Sequence, residues 1–120
     1  MTYFKKYHAL ITLGGTNRKV FYKEVAEYSL KRNIWRSLPS FPFKVASSSI
    51  YILKNEWLYN LGGKGSEWSV GKLALSGLGH VNHKWKEVKL SKNQSFINFV
   101  GYGVEVIGLD KIVFFGWMNE

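Results

Sequence analysis

Two histidines, His80 and His83, stand three residues apart and form the pair most typical of a metal site in this sequence. A structural zinc ion takes four ligands from cysteine, histidine, aspartate or glutamate. The chain contains no cysteine, and no carboxylate stands directly beside the pair. A polar turn between strands is therefore the preferred interpretation, and we predict neither a metal site nor a bound cofactor.

Two glycine–lysine stretches, Gly62-Gly63-Lys64-Gly65 and Gly71-Lys72, have the composition of phosphate-binding loops. A Walker loop needs a glycine, four further residues, Gly-Lys and then Ser or Thr. Here Ser66 occupies the first glycine position and Leu73 follows the lysine, so the motif is rejected. The eight acidic residues contain no suggestive pair. We predict no catalytic residues and a protein that is not an enzyme.

The composition limits the class of protein. The 120 residues suffice for one domain or part of a larger one, and with 46% hydrophobic and 17% aromatic residues the chain is too apolar to be disordered. The absence of cysteine fits a reducing compartment. No apolar run approaches the ~20 residues that span a bilayer, and the N-terminal apolar run is too short for a secretory signal. We predict a soluble, unprocessed, cytoplasmic protein with no membrane partner.

Short apolar runs separated by polar or glycine-rich turns predict strands along the whole chain. For 23–32, which contains no helix breaker, a helix is the alternative, and the spacing of the neighbouring strands favours a strand. The predicted strands are 7–13, 21–30, 34–38, 45–53, 57–61, 72–75, 85–90, 100–107 and 111–115.

The strand pattern repeats. Gly14 and Gly62 are 48 residues apart, Trp35 and Trp85 are 50 apart, and Gly116 follows Gly62 by 54. A shift of 54 lays the apolar hairpin of residues 50–62 on that of residues 104–116. Such a period indicates a repeat architecture, in which each unit packs on the next.

These residues resemble the kelch repeat, a four-stranded propeller blade with a period of ~50 residues. In that pattern an apolar run ends in a diglycine, and a tyrosine and then a tryptophan follow. The second copy departs from it with Leu75 at the tyrosine position and three extra residues before the tryptophan, and the third has Gly-Trp in place of the diglycine. The motif residues are Gly14, Gly15, Tyr28, Trp35, Gly62, Gly63, Trp85 and Gly116.

The resemblance implies an all-β fold made of kelch-type β-propeller blades, each with four antiparallel strands. The diglycines are expected to adopt φ > 0 and to allow close approach of neighbouring chains. The tryptophans are expected to pack one blade on the next. The blades are predicted at about 1–40 (partial), 44–91 and 96–117 (partial), with almost no room for a first strand in the first copy.

Propellers close with ~4–8 blades, so this incomplete propeller cannot close alone. The preferred interpretation is a piece of a larger propeller. The alternative is self-assembly, in which the tail of one chain, lacking a third and fourth strand, pairs with the head of the next chain.

Kelch propellers generally bind proteins through loops on one face, so the resemblance implies a protein-interaction module. The positive net charge, +9, favours an acidic partner segment. Phe41 and Phe43 are candidate apolar anchors, with packing beneath their loop as the alternative. The predicted partner-binding residues are Arg18, Lys19, Lys44, Lys64 and Trp68.

Other functions are ranked lower. A small ligand at the propeller axis, in a larger kelch enzyme or adaptor, would use Ser47, Ser48, Ser49 and Tyr102. Nucleic acid would prefer a concentrated basic stripe, whereas the charges are spread over both ends with a modest excess on the diglycine side. A non-functional remnant of a larger gene is the third alternative.

Overall fold

The computed structural model describes residues 1–76, 83–89, 103–107 and 111–115, and for the last two ranges the course of the strands alone. The described part is all-β, and one 3₁₀ turn, Lys5–Tyr7, is its helical segment. No helix there is long or apolar enough to cross a membrane. The strands are β1 Thr2–Phe4, β2 Ala9–Leu13, β3 Val25–Ser29, β4 Ile34–Leu38, β5 Ser49–Leu53, β6 Trp57–Leu61, β7 Val70–Ala74, β8 Lys86–Glu87, β9 Gly103–Ile107 and β10 Lys111–Phe115.

Two four-stranded antiparallel sheets follow one another along the chain. Sheet 1 has the order β1-β2-β3-β4 and sheet 2 the order β5-β6-β7-β8, while β9 and β10 form a separate hairpin. Consecutive strands are neighbours in each sheet, because short turns join antiparallel strands most directly. At 53–56, for example, Lys54 and Asn55 both adopt positive φ, and the Glu56 amide donates to the Leu53 carbonyl at 3.0 Å.

The antiparallel order sorts the connections to two ends of the sheets. We call one the loop end; it carries residues 14–24, 39–48, 62–69 and, after β8, 88–89. We call the other the turn end; it carries 5–8, 30–33, 54–56 and, after β7, 75–76 and 83–85. Both diglycines therefore lie at the loop end, immediately after β2 and β6.

The two sheets stack face to face around one core. Directly paired residues share a face of an antiparallel sheet, so Phe4, Ala9 and Ile11 lie on one side of sheet 1. That side packs on the side of sheet 2 that carries Leu58 and Leu73. The shared core cluster contains Phe4, Ala9, Ile11, Val25, Leu38, Phe41, Val45, Ile50, Leu58, Leu73, Leu75 and Trp85.

The connection between the sheets adds an aromatic cluster to this core. Phe41 is 1% exposed and makes edge-on contacts with Trp68 and Trp85, at ring-centroid distances of 5.9 and 5.0 Å. Trp85 Nε1 also donates to the Pro39 carbonyl at 2.8 Å, so this tryptophan ties sheet 2 to the connection. The suggestion that Phe41 is a partner anchor is therefore wrong, because its ring is enclosed; Phe43 is half-buried beside it.

The structure corrects three details of the sequence analysis. Sheet 1 does have a first strand, because Thr2–Phe4 pairs with β2 through Tyr3 and Leu10. The residue at the position of Tyr28 is Leu73, not Leu75, because Leu10 pairs with Tyr28 as Leu58 pairs with Leu73. Finally, β3 is bonded on both sides within its own sheet, so the head of the chain has no free third strand to lend to another chain's tail.

The predicted strands are confirmed in position: those at 34–38, 57–61 and 111–115 have the predicted bounds, and those at 7–13, 21–30 and 45–53 are shorter in the structure. The strand predicted at 85–90 is reduced to β8, and the one predicted at 21–30 begins at Val25. Residues 21–24 instead belong to the loop end, where Phe21 forms an isolated bridge with Thr16 of the same loop and Tyr22 one with Val45 of the connection between the sheets. Gly116 lies outside the described residues.

Candidate functional site

Three connections at the loop end are joined by backbone hydrogen bonds into one surface. Gly15 N donates to the Val45 carbonyl at 2.8 Å, and Val45 N donates to the Tyr22 carbonyl at 2.9 Å. On the other side Ala46 and Lys64 exchange two bonds, at 3.0 and 2.8 Å. We call residues 14–24, 44–46 and 62–65 the loop strip. It brings together side chains that are far apart in the sequence.

The diglycines make this approach sterically allowed. Gly14, Gly15, Gly62 and Gly63 all have positive φ, as predicted. At Gly63 (φ 98°) a Cβ would lie 2.5 Å from Val45 Cγ2 and 2.6 Å from Ser48 Cβ. No side chain fits there, so this glycine lets the strand end meet the connection between the sheets.

The first loop of the strip is shaped by its own polar side chains. Thr16 Oγ1 donates to the Val20 carbonyl at 2.9 Å, and Asn17 Oδ1 accepts from the amides of Lys19 and Val20 at 3.0 Å each. Such side-chain bonds are typical of tight turns. They hold Arg18 and Lys19 at an exposed loop tip.

A small open cleft lies within the loop strip, and we call it the basic cleft. Its volume is about 270 Å³, slightly below the ~300–1,000 Å³ usual for small-molecule sites, so it suits one side chain of a peptide better than a drug-sized ligand. Lys64 Nζ lies 6.0 Å from the centroid of the Phe21 ring, at one side of this region. The cleft is lined by Val20, Phe21, Tyr22, Lys23, Glu24 and Lys44.

The basic cleft is lined by apolar and cationic side chains: we call Val20, Phe21 and Tyr22 its apolar floor, and Lys23 and Lys44 line it as well. Glu24 is the one carboxylate of its lining, and its Oε2 accepts a hydrogen bond from the Lys23 amide at 3.0 Å. The ammonium groups of Lys44 and Lys64 make no ion pair within the described residues. The arrangement can accept an apolar side chain that is flanked by carboxylates.

The structure brings together some of the predicted partner-binding residues but not all of them. Lys44 lines the basic cleft and Lys64 lies beside it, while Arg18 and Lys19 occupy the neighbouring loop tip. Trp68 is half-buried, and its ring packs edge-on against Phe41 and Phe43 at 5.9 and 5.5 Å. Trp68 is therefore part of the aromatic cluster.

Sequence reasoning missed Phe21, Tyr22 and Lys23 as site residues. These residues fall within the strand predicted at 21–30, whereas the predicted partner-binding residues were assigned to loops. Their aromatic–aromatic–lysine composition carries no signal of its own. The bridge between Tyr22 and Val45 that places them at the cleft depends on the fold.

The number of cations does not distinguish the loop end. Among the described residues each end carries six, because Lys5 and Lys6 lie at the turn end, and Lys92, which the predicted excess on the diglycine side included, lies outside the described residues. The loop-end cations are Arg18, Lys19, Lys23, Lys44, Lys64 and Lys89, and the turn-end cations are Lys5, Lys6, Lys31, Arg32, Lys54 and Lys84. The cleft, with its apolar floor, is what sets the loop end apart.

The candidate metal ligands and the candidate small-ligand residues are not among the residues that line the basic cleft. Within the described ranges no three His, Asp or Glu side chains cluster in a way that could hold a metal ion. His83 Nε2 contacts the Ala74 carbonyl, and His80 and Tyr102 lie outside the described residues. Ser47 is exposed with φ 57°, whereas Ser48 and Ser49 are half-buried.

No protein-family model matches this sequence, and no curated protein matches it. The resemblance to kelch repeats therefore rests on the motifs of the chain alone.

Proposed function

We propose that this protein is a non-catalytic interaction module of kelch-propeller type, and that the basic cleft binds an acidic segment of a partner protein. The two successive four-stranded sheets, each with a diglycine after its second strand, support the propeller part of the proposal. The cysteine-free sequence is in keeping with a cytoplasmic setting.

The observation that carries the proposal is the joining of three loops by backbone bonds around an apolar floor. Because main-chain hydrogen bonds hold the Val45 and Lys64 segments, the backbone positions of Lys44 and Lys64 are fixed relative to each other. A pre-formed site loses less conformational entropy on binding than a mobile loop does. The floor of Phe21 and Tyr22 supplies apolar contact area that a purely charged surface lacks.

The ligand that fits is an extended acidic peptide with one apolar side chain. The apolar side chain would enter the cleft, and carboxylates on either side would meet the ammonium groups of Lys23, Lys44 and Lys64. The cleft volume, about 270 Å³, limits the inserted group to a single side chain. Because the charge pairs would lie at an exposed rim, they would contribute mainly to association rate and specificity.

The test is a fluorescence-anisotropy titration with a labelled peptide in which one leucine is flanked by glutamates. A second peptide with glutamine at each glutamate position is the ligand control. We expect the glutamate peptide to bind at least about tenfold more tightly, and its affinity to fall as salt is added, since salt screens exposed charges. Equal affinity for the two peptides would rule out the acidic ligand.

A pair of charge-reversal variants locates the site. Lys44→Glu with Lys64→Glu is expected to weaken binding of the glutamate peptide by about tenfold or more. The matched control is Lys31→Glu with Arg32→Glu, which makes the same change of net charge at the exposed turn end. If both double variants lose the same affinity, the peptide responds to net charge and the basic cleft is not its site.

A further inference from the structure

The Glu24 side chain bonds to the backbone of the basic cleft and not to its cations. Glu24 Oε2 accepts a hydrogen bond from the Lys23 amide at 3.0 Å, and both residues line the cleft. Lys44 lines the cleft as well, yet within the described ranges Glu24 forms no ion pair with an ammonium or guanidinium group. The acceptor position at the Lys23 amide is therefore filled by a carboxylate of the chain itself.

The backbone around this contact is fixed by other hydrogen bonds. The Lys23 carbonyl accepts from the Phe41 amide at 2.9 Å, and the Glu24 carbonyl accepts from the Gly14 amide at 3.0 Å. Strand β3 begins at the next residue, Val25. Because the main chain is held on both sides, the Glu24 side chain can leave the Lys23 amide without a change in the loop strip.

A ligand can reproduce the contact between a carboxylate and this amide. A hydrogen bond from a backbone amide to a carboxylate is charge-assisted and therefore stronger than one to a neutral acceptor. A ligand carboxylate at the Lys23 amide would keep that bond, and it would lie in a cleft that Lys23 and Lys44 line. Glu24 is exposed and is held by a contact to the residue before it, so the cost of moving its side chain is small.

We propose that the Lys23 amide is the carboxylate subsite of the basic cleft, and that Glu24 fills this subsite until an aspartate or glutamate side chain of the ligand replaces it. The subsite rests on the proposed function, since it assigns one carboxylate of the acidic segment to a particular donor. The exchange keeps the number of hydrogen bonds at the amide constant and releases the Glu24 carboxylate to solvent. Glu24 therefore lowers the affinity of the cleft for acidic ligands.

The first test follows the Lys23 amide of the full chain by ¹H–¹⁵N correlation NMR. Glu24→Gln replaces the charged acceptor by a neutral one, so the Lys23 amide proton is expected to move upfield relative to the wild type. Saturation with the peptide in which glutamates flank one leucine should return this proton downfield in the variant, whereas the glutamine peptide should not. A proton that stays in place when the glutamate peptide binds overturns the subsite.

The second test is the affinity for the same labelled glutamate peptide, measured by fluorescence anisotropy. Glu24→Gln is expected to bind it about threefold to tenfold more tightly than the wild type, because the internal competitor is weakened and a like charge is removed. The matched control is Glu67→Gln, which makes the same change of net charge at another exposed residue of the loop end. This control should gain less than about twofold.

Salt separates the contact from the general effect of charge. In about 0.5 M salt most attraction and repulsion between separated exposed charges is screened, so the gain of Glu67→Gln should vanish. The gain of Glu24→Gln should persist, because competition for a hydrogen-bond donor acts at contact distance. Equal gains for the two variants at low and at high salt overturn the subsite.

Failure of the subsite and failure of the acidic ligand give different results. If the wild type binds the glutamate peptide and Glu24→Gln gains no more than Glu67→Gln, the subsite is wrong and the acidic ligand stands. If neither the wild type nor Glu24→Gln binds the peptide, both are wrong. Binding by Glu24→Gln alone supports both, since the internal carboxylate then blocks the cleft of the wild type.

Discussion

At the scale of single residues, the two diglycines show how backbone conformation determines which loops can meet. Gly15 has φ 113° and a Cβ built on it would meet no atom within 4 Å, whereas at Gly63 it would overlap Val45 and Ser48. The first position therefore demands only an unusual backbone angle. The second demands both that angle and the space of a missing side chain.

We expect Gly63→Ala to destabilise the fold by about 2–4 kcal/mol, through backbone strain and displacement of Val45. Gly15→Ala is the control and should cost about 1–2 kcal/mol, since only the strain of a positive φ applies. Urea denaturation followed by tryptophan fluorescence measures both. Equal costs for the two variants would mean that the close contact at Gly63 is easily relieved.

The role of these glycines could be predicted from the sequence, because a diglycine directly after an apolar run is typical of a strand that ends in a positive-φ turn. The side chains around them could not be assigned in the same way. Phe41 and Phe43 flank one proline and are chemically identical, yet one is enclosed and the other half-buried. Which of the two phenylalanines faces the core depends on the positions of the Trp68 and Trp85 rings, and those positions are set by the fold.

At the scale of elements, the connection of residues 39–48 serves both the core and the basic cleft. Phe41 fills the space between Trp68 and Trp85, and Pro39 accepts the hydrogen bond from Trp85. A few residues later the same segment bonds to both other loops of the strip. The packing of Phe41 therefore positions Lys44 and Val45.

We expect Phe41→Ala to destabilise the protein by about 3–5 kcal/mol, as for other fully buried aromatic residues. Phe43→Ala should cost clearly less, because the Phe43 ring is only half-buried. Thermal unfolding by circular dichroism provides the comparison. A similar cost for the two substitutions would contradict the packing described for the connection.

Strand centres could be predicted from the sequence, whereas several strand starts could not: residues 7–8, 21–24 and 45–48 lie outside the strands. Ile34–Leu38 and Trp57–Leu61 have the predicted bounds because turns flank them closely. Residues 21–24 precede β3 directly, but the carbonyls of Tyr22 and Lys23 accept hydrogen bonds from Val45 and Phe41 of the connection between the sheets. Cross-loop pairing of this kind has no periodicity, so four of the six residues that line the basic cleft were assigned to a predicted strand.

At the scale of the whole molecule, the two sheets share one core and are expected to unfold together. Leu58 is fully buried and lies on the side of sheet 2 that packs on sheet 1. The connection through Phe41 links the sheets a second time. A local loss of packing in one sheet should therefore lower the stability of the other sheet as well.

Leu58→Ala is expected to lower the free energy of unfolding by about 2–5 kcal/mol. In hydrogen exchange, the amide protection of β3 in sheet 1 should fall by as much as that of β6 in sheet 2, since both exchange through the same global opening. Trp35→Ser is the control, because this residue is 61% exposed on the side of sheet 1 away from sheet 2, and it should leave amide protection nearly unchanged. Loss confined to β5–β7 would show that the sheets open separately.

The stacking of sheet 2 on sheet 1 defines a rotation, and every further sheet stacked by the same contact would repeat it. If that rotation divides evenly into a full circle, a fixed number of sheets closes a ring in which every stacking face is covered. If the rotation does not divide evenly, the same contact produces an open helical stack of sheets. A change in the core that alters the tilt between the two sheets would therefore decide between a closed ring and an open helical stack.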